Sequence, residues 1–296
     1  MMRILTPGFG STVQDRGRPG HVRAGVPISG PADPFACRAA LSLVGNSAAD
    51  AAVEAIGLPF AFRCDDSRLI AVTGRDVTVA VRDRVPAWTS VFVRAGDLVT
   101  VTGTARTRYA YVAVSGGIAS DVWLGSRAAY PRAGIGRVLS AGDTLALGVP
   151  QRTAEDAGQR VSFEYGNRVA ALPGPHLDRF DDETVARFFE TEFTASAQSD
   201  RQGARLEGAT VTSREGEILT CGVIAGAVQV PRGGHPIVLL ADHQTTGGYP
   251  VIATVVAADL GLVAQRAPAE TLRFYRVDRE EALARGRELF ARLLTA

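Results

Sequence analysis

Lysine is missing from this 296-residue sequence, so arginine supplies all 32 basic side chains. A chain without lysine has no Walker A lysine for a nucleotide phosphate and no Schiff-base lysine. It also has no serine–lysine amidase centre and no lysine that could carry biotin or a lipoyl group. Chemistry of these kinds must therefore come from a partner protein.

Cysteine and long apolar runs are also scarce. The three cysteines, Cys37, Cys64 and Cys221, are far apart and form no CxxC pair, which argues against a disulfide framework or a structural zinc site. No apolar run reaches the roughly 18 residues of a membrane span, and the start of the chain has no apolar segment of signal-peptide length. We therefore predict a cytoplasmic protein that does not enter the membrane.

The charge balance excludes further classes of partner. The 32 basic and 31 acidic residues give a formal net charge of +1, which creates no field that would collect nucleic acid. The four histidines show no metal-ligand spacing with one another or with cysteine, so we predict no metal site.

Short segments rich in β-formers fill most of the first half of the chain, separated by Gly-Asp turns. A helix interrupts them after Asp33, a suitable N-cap that is followed by proline. The polar stretch 148–166 separates this half from the next. We predict a mostly β fold with a few helices, organised as two β-rich lobes at residues 1–150 and 166–296.

A terminal helix is predicted at the end of the second lobe. Asp278 and Glu281 have the spacing of a capping box. The helical period then places five apolar residues near one face, namely Leu283, Leu289, Phe290, Leu293 and Leu294.

Three polar, glycine-rich segments are candidates for a functional site. The first, Thr12–Pro34, places Gln14, Asp15 and Arg18 on a predicted loop. Guanidinium groups bind carboxylates through two parallel hydrogen bonds, so a carboxylate ligand is one interpretation. The alternative is an ion pair of Asp15 with a neighbouring arginine that only fixes a turn.

The second segment, Ser196–Gly208, repeats this chemistry with Gln198, Asp200 and Arg201. Its serines lack a GxSxG motif and a histidine partner, so a serine hydrolase is not indicated. A buried hydrogen-bond network is the alternative to a ligand site.

The third segment, Gly226–Val255, is the richest in polar groups. Two apolar runs read as buried strands, and a hairpin-like loop, DHQTTGGYP, joins them. Loops held on a rigid base often build functional sites, while an elaborate structural turn is the alternative.

Taken together, these segments resemble the allophanate hydrolase subunit 2 family. That family includes the biotin-dependent carboxyltransferase domain of urea amidolyase and the C-type subunit of ATP-dependent 5-oxoprolinase. The resemblance covers about residues 3–277. It rests on the motifs TVQDRGRPG, GVPISGPADPFACRAALSLVGN, VTGRDVTVAV, VRAGD, YVAVSGGI, LPGPHLDRF, SAQSDRQGARLEG and VPRGGHPIVLLADHQTTGGYPVIATV.

The resemblance implies a fold, an activity and partners. It implies that both lobes are cyclophilin-like barrels and that the chain acts with a subunit 1 family protein, which is the B-type subunit of 5-oxoprolinase, and with the A-type subunit. The implied complex uses ATP and water to convert 5-oxo-L-proline to L-glutamate. An alternative is the carboxyltransferase subunit of a biotin-dependent urea carboxylase, with carboxybiotin on a separate carrier. A further alternative is a regulatory binding protein that controls a kinase.

The family motifs also imply site residues, and we expect the three segments to converge on one cleft. A lactam or ureido group needs paired donors and acceptors, and its developing negative charge needs fixed dipoles. The implied catalytic residues are Asp200, Arg201, Asp242 and Gln244. The implied substrate-binding residues are Gln14, Asp15, Arg18, Gln198, Gln229, Thr245 and Tyr249. Three positions depart from the usual family pattern, namely Gln202, Ala204 and His243.

Overall fold

The structure, a computed structural model, describes residues 1–214 and 216–293. The chain divides into two compact units. The first comprises Met1–Arg18 and Ser29–Glu164 with Arg292 and Leu293, and the second comprises Pro19–Ile28 and Tyr165–Ala291. Strands contain 32% of the residues against 18% in helices, which confirms the mostly β class. The lobe limits 1–150 and 166–296 stay a prediction.

The first unit is built from eleven described strands and one described α-helix, with short 3-10 turns between them. The strands are β1 (Met2–Pro7), β2 (Thr12–Gln14), β3 (Ala52–Ile56), β4 (Phe60–Cys64), β5 (Arg68–Gly74), β6 (Thr78–Val81), β7 (Asp83–Val85), β8 (Ser90–Val93), β9 (Val99–Thr102), β10 (Tyr109–Val114) and β11 (Thr144–Leu145).

These strands form two sheets in the described residues, rather than a single ring. One sheet has the order β11-β1-β4-β9-β6-β7, and the other has the order β2-β3-β10-β5-β8. A single apolar core joins them, with Phe60 and Val101 from the first sheet and Val72 and Val112 from the second. The strands of the second sheet are buried along most of their length, which explains their nearly continuous apolar sequences.

The predicted helix of this unit is α1 (Pro34–Leu43). The Asp33 carboxylate accepts a hydrogen bond of 3.1 Å from the Ala36 amide, as expected for an N-cap. Gly45, with φ of 75°, follows the helix and donates its amide hydrogen to the Ser42 carbonyl. Seven of the ten helical residues are buried, so packing against the sheet stabilises the helix.

The second unit contains nine described strands and three described α-helices, besides short 3-10 turns. The strands are β12 (Arg168–Pro173), β13 (Glu192–Ala195), β14 (Gly203–Glu207), β15 (Cys221–Gly222), β16 (Ala227–Gln229), β17 (Ile237–Leu239), β18 (Thr246–Gly247), β19 (Val251–Val255) and β20 (Thr271–Arg276). The helices are α2 (Asp182–Glu190), α3 (Leu260–Ala264) and α4 (Arg279–Ala291).

Seven of these strands close into a barrel of order β12-β19-β16-β17-β14-β13-β20, in which β20 pairs in parallel with β12. The prediction that the third polar segment is a hairpin is wrong. Its two strands, β17 and β19, do not pair with each other, because β16 lies between them and pairs with both. The loop 240–250 therefore crosses over one strand instead of reversing the chain.

The same loop is held by a second, smaller pairing. Its residues in β18 pair with β15. Val223, which follows β15, packs against Ala227, Leu239 and Val251. The loop is thus attached to the second unit by backbone pairing, although Gln244, Thr246 and Tyr249 stay exposed.

The terminal helix α4 begins with the predicted capping box. The Asp278 amide donates to the Glu281 carboxylate and the Glu281 amide donates to the Asp278 carboxylate, both at 2.9 Å. The predicted apolar face is wrong at Leu283, which is 54% exposed, while Leu289 is buried. Leu294 lies outside the described residues. None of the helices in the described ranges combines the length and apolar character needed to cross a membrane.

Candidate functional site

The first polar segment begins in a strand, because Gln14 is the last residue of β2, where a loop was predicted. The Gln14 amide donates hydrogen bonds of 2.9 Å to the Thr12 hydroxyl and 3.0 Å to the Ala129 carbonyl. The Ala129 amide in turn donates to the Val13 carbonyl. The side chain therefore ties the strand end to the segment 126–129 of the same unit.

Asp15 is the acceptor at the centre of this arrangement. One carboxylate oxygen accepts from the Gly17 amide at 2.8 Å and from the Ser126 hydroxyl at 2.6 Å. The other oxygen accepts from the Arg127 amide at 2.6 Å. A carboxylate with three such donors fixes the backbone around it.

Arg18 completes the same arrangement and is only 1% exposed. Its guanidinium donates to the Ala128 carbonyl and lies 5.6 Å from the centroid of the Trp123 ring. The segment Gln14–Arg18 and residues 126–129 together form what we call the backbone brace.

The second and third segments meet in the barrel unit through an ion pair. Arg201 donates to both oxygens of Asp242, from Nε at 2.7 Å and from Nη2 at 3.1 Å. The Asp242 amide also donates to the Arg201 carbonyl at 2.9 Å. Both side chains are largely buried, with exposed fractions of 15% and 6%. We call this pair the loop clamp, because it joins the loop 196–202 to the loop 240–250.

Asp200 stabilises the first of these loops. Its carboxylate accepts hydrogen bonds from the Gln202 amide at 2.8 Å and from the Gly203 amide at 3.2 Å. The Asp200 amide donates to the Gly203 carbonyl, so the turn closes on itself. This is the geometry of an aspartate that forms a turn through its side chain.

Three neighbouring strands present one row of side chains on the same face of the sheet. In the strand register, Ile237 of β17 is paired with Arg205 of β14 on one side and with Gln229 of β16 on the other. Paired residues point to the same face of a sheet, and their neighbours point to the opposite face. The neighbours Ala204 and Val238 are buried, so the row lies on the outer face of the barrel.

A cleft of about 200 Å³ opens on this outer face. Polar side chains dominate its walls, and two apolar side chains of β17 contribute to its lining. The lining residues are Gln198, Asp200, Gln202, Gly203, Arg205, Gln229, Ile237, Leu239, Gln244 and Tyr249. A cavity of this size suits a small molecule, since drug-sized ligands occupy roughly 300–1,000 Å³.

Gln229 is the most unusual side chain of the cleft. Its Oε1 accepts a hydrogen bond of 3.1 Å from Gln244 Nε2. Its own Nε2 is buried and has no hydrogen-bond partner among the described residues. An unsatisfied buried donor costs about 1–3 kcal/mol, so a ligand acceptor at this atom would recover free energy.

His243 lies in the loop 240–250 and is 5% exposed. Its Nδ1 is 2.6 Å from the Gln244 carbonyl oxygen, so the neutral ring donates from Nδ1. Burial lowers the pKa of His243 from its ordinary value near 6.5, against the opposing effects of this hydrogen bond and of Asp242. The ring is therefore a neutral support for the loop.

The implied site residues do not all lie together in the structure. The cleft contains five of them, Gln198, Asp200, Gln229, Gln244 and Tyr249. Arg201 and Asp242 form the loop clamp, and Thr245 accepts the Val223 amide through its carbonyl. Gln14, Asp15 and Arg18 belong to the other unit, so the convergence of all three segments stays a prediction.

Sequence reasoning missed two polar residues of the cleft, Gln202 and Arg205, as site residues. The signal for Arg205 was present, because polar residues alternate with apolar ones along Gly203–Glu207. In the ranges 1–214 and 216–293, no three side chains of His, Cys, Asp or Glu come together as a metal site.

Comparison with known proteins defines the class. Residues 24–276 match the family described as carboxyltransferase domain, subdomain A and B. The chain belongs to this carboxyltransferase domain family, which confirms the resemblance of the sequence. It is 35% identical over 290 residues to the C-type subunit of 5-oxoprolinase from Escherichia coli K12, and the match covers 96% of this chain and 93% of that protein.

Two solved structures agree with this assignment. The crystal structure of TTHA0988 matches with a TM-score of 0.85 and 30% identity over 93% of this chain, which spans 55% of that protein's length. The crystal structure of the Kluyveromyces lactis urea amidolyase matches with a TM-score of 0.86 and 26% identity over 98% of this chain, which spans 20% of its length.

Proposed function

We propose that this chain is the C-type subunit of an ATP-dependent 5-oxoprolinase. In a complex with its partner proteins it would open the lactam ring of 5-oxo-L-proline with ATP and water to give L-glutamate, ADP and phosphate. The observation that carries the proposal is the near end-to-end match with the 5-oxoprolinase subunit of E. coli.

The chemistry of the cleft supports this proposal. A lactam is planar, with one N–H donor and one carbonyl acceptor, and Gln198, Gln229 and Gln244 offer neutral amides that complement both. Negative charge develops on the carbonyl oxygen when the ring opens, and fixed amide dipoles stabilise it. Tyr249 lines the same cleft and is 37% exposed, so its ring can cover one side of a small guest.

The loop clamp has a positioning role in this proposal. Arg201 and Asp242 neutralise each other and hold the two loops that carry Gln198 and Gln244. Asp200 fixes its own turn in the same way. A site held by such contacts keeps its donors in place during the reaction.

ATP does not fit this cleft. A volume of about 200 Å³ is too small for a nucleoside triphosphate, and one arginine among the lining residues is too little positive charge for three phosphate groups. We therefore assign ATP binding to the partner proteins, for which we propose a subunit 1 family protein, similar to the B-type subunit of 5-oxoprolinase, and the A-type subunit.

The test is reconstitution. The chain is co-expressed with the products of its neighbouring genes, and glutamate release from 5-oxoproline is measured with and without ATP. We expect release only in the presence of ATP and of this chain. If the complete complex assembles and releases no glutamate, the proposal is wrong.

A second candidate is the acceptor half of a biotin-dependent urea carboxylase. The match with urea amidolyase and the carboxyltransferase family support it. The amide groups of the cleft would then hold urea or the ureido ring of carboxybiotin on a separate carrier. Transfer of the carboxyl group from a carboxybiotin carrier to urea, with biotin as the second product, distinguishes it from the first function. Neither activity, together with inhibition of a neighbouring kinase, would favour the regulatory alternative.

A further inference from the structure

The cleft contains two charged side chains, Asp200 and Arg205, and only one of them is available to a ligand. Asp200 accepts two backbone amides of its own turn. Arg205 is exposed, and its guanidinium makes no ion pair or hydrogen bond with any residue in the described part of the chain, although its backbone is fixed by hydrogen bonds with Ser196 and Ser199. A guanidinium on a fixed strand beside a cleft is suited to bind a carboxylate.

Arg201, which the sequence suggested for this task, is committed elsewhere. Both of its hydrogen bonds to Asp242 are part of a buried bidentate pair. Releasing it to bind a ligand would leave a buried carboxylate without its partner, which is strongly unfavourable. Arg205 can bind a ligand without giving up an ion pair, because its guanidinium forms none with the described residues.

The strand register places Arg205 opposite the unsatisfied amide. Arg205 and Gln229 flank Ile237 in one row across three adjacent strands. Because neighbouring strands are about 4.8 Å apart, the two backbones are separated by roughly 10 Å, with the apolar side chain of Ile237 between them. The row thus offers a cation, an apolar floor and an N–H donor in that order.

We propose that this row recognises a small carboxylated lactam, with Arg205 holding the carboxylate, Ile237 beneath the ring and Gln229 Nε2 donating to the ring carbonyl oxygen. The ligand class fits the order of the three side chains, because a carboxylate and a carbonyl oxygen then project from two sides of a small ring whose methylene carbons lie on Ile237. 5-Oxoproline has this form. The inference rests on the proposed function and assigns the substrate site of the complex to this chain.

The experiment measures selectivity in the reconstituted complex. KM is determined for 5-oxo-L-proline, and an inhibition constant is determined for 2-pyrrolidinone, the same lactam without its carboxylate. We expect Arg205→Ala to raise KM for 5-oxoproline about tenfold or more, because a charged hydrogen bond is lost. The inhibition constant of 2-pyrrolidinone should change less than about twofold, since it has no group for the guanidinium. Arg205→Lys should recover part of the loss as a point charge.

A matched control uses an arginine of the same barrel. Arg276 is exposed on β20 and is not a cleft residue, so Arg276→Ala should leave both constants unchanged. Gln229→Glu replaces the unsatisfied donor with an acceptor and should weaken both lactams, since both present a carbonyl oxygen to it.

The outcomes separate this inference from the function on which it rests. A complex that opens 5-oxoproline equally well with Arg205→Ala, at unchanged KM, overturns the role of Arg205 and leaves the function intact. Equal weakening of 5-oxoproline and 2-pyrrolidinone by Arg205→Ala also overturns it, because that pattern indicates a structural effect. An assembled wild-type complex that does not open 5-oxoproline overturns both.

Discussion

The two units contain nearly the same polar side chains and engage the glutamine and the arginine differently, while Asp15 and Asp200 both accept backbone amides. Gln14, Asp15 and Arg18 donate to or accept from the backbone of residues 126–129, and each is at most 6% exposed. In the barrel unit, Arg201 pairs with the side chain of Asp242, while Gln198 remains at a cleft.

The difference comes from what the neighbouring segment offers. A segment that presents backbone amides and carbonyls engages all three side chains of the motif, which becomes a brace, although Gln14 Oε1 has no hydrogen-bond partner among the described residues. A segment that presents one carboxylate binds one guanidinium, and Gln229 Nε2 at the cleft remains available to a ligand although Gln229 Oε1 accepts from Gln244. The same residue types thus predict that polar side chains cluster. They do not predict whether those side chains are bound by the fold or accessible to a ligand.

The largest test of this comparison is Asp242→Ala. Removal of the carboxylate leaves Arg201 buried without its partner, so we expect a loss of about 3–5 kcal/mol in the free energy of unfolding. Urea denaturation followed by circular dichroism measures it. The double variant Arg201→Met/Asp242→Leu, which replaces both charges, should recover most of the loss. Wild-type stability for Asp242→Ala together with lost turnover would make the clamp part of the chemistry instead.

The second test addresses the brace. Asp15→Ala removes the acceptor of three donors, and we expect a loss of about 2–3 kcal/mol in the free energy of unfolding. Asp15→Asn keeps one carbonyl oxygen and should cost less. Both variants should retain turnover per folded molecule in the reconstituted complex. A folded Asp15→Asn variant without turnover would show that the first segment serves the site and would break the comparison.

The third test displaces a polar side chain of the cleft in the barrel unit without substituting any polar residue. A Cβ at position 247 would lie 2.5 Å from Gln229 Nε2. Gly247→Ala should therefore displace the Gln229 amide and raise KM for the lactam several-fold, at a stability cost of about 1 kcal/mol. Gly222→Ala is the matched control, because no atom lies within 4 Å of a Cβ on the paired strand. Equal kinetics for the two variants would remove Gln229 from the site.

The smallest expected effect is a pH dependence of stability in the loop 240–250. The pKa of His243 is lowered in the folded state by burial, so the unfolded chain binds more protons as the pH falls through and below about 6.5. Stability should therefore decline in that range, while it is fully present at higher pH. His243→Gln should flatten this part of the profile, measured by urea denaturation between about pH 5 and pH 8. An unchanged profile would contradict the assignment of a neutral, buried ring.

Local signals in the sequence were sufficient for individual elements. Asp33 before proline predicted the start of α1, and Asp278 with Glu281 predicted the cap of α4, because capping depends on residues three positions apart. The same kind of reasoning failed at Leu283, since the exposure of a helical face depends on what packs against it. It failed again at the loop 240–250, where the insertion of β16 between β17 and β19 is a long-range pairing that short patterns do not encode.

By itself, the sequence determined the chemical inventory and the family: no lysine, many arginines, polar amides near glycines, and the motifs of the carboxyltransferase domain family. Only the tertiary structure decided which groups are committed to the fold and which remain available. Arg201 forms an ion pair with Asp242, which lies 41 residues further along the chain. Arg205 does not contact that carboxylate, because the fold brings Asp242 next to Arg201 only. Hydrogen-bond satisfaction is a property of contacts in space, so the unsatisfied amide of Gln229 had no signature in the sequence.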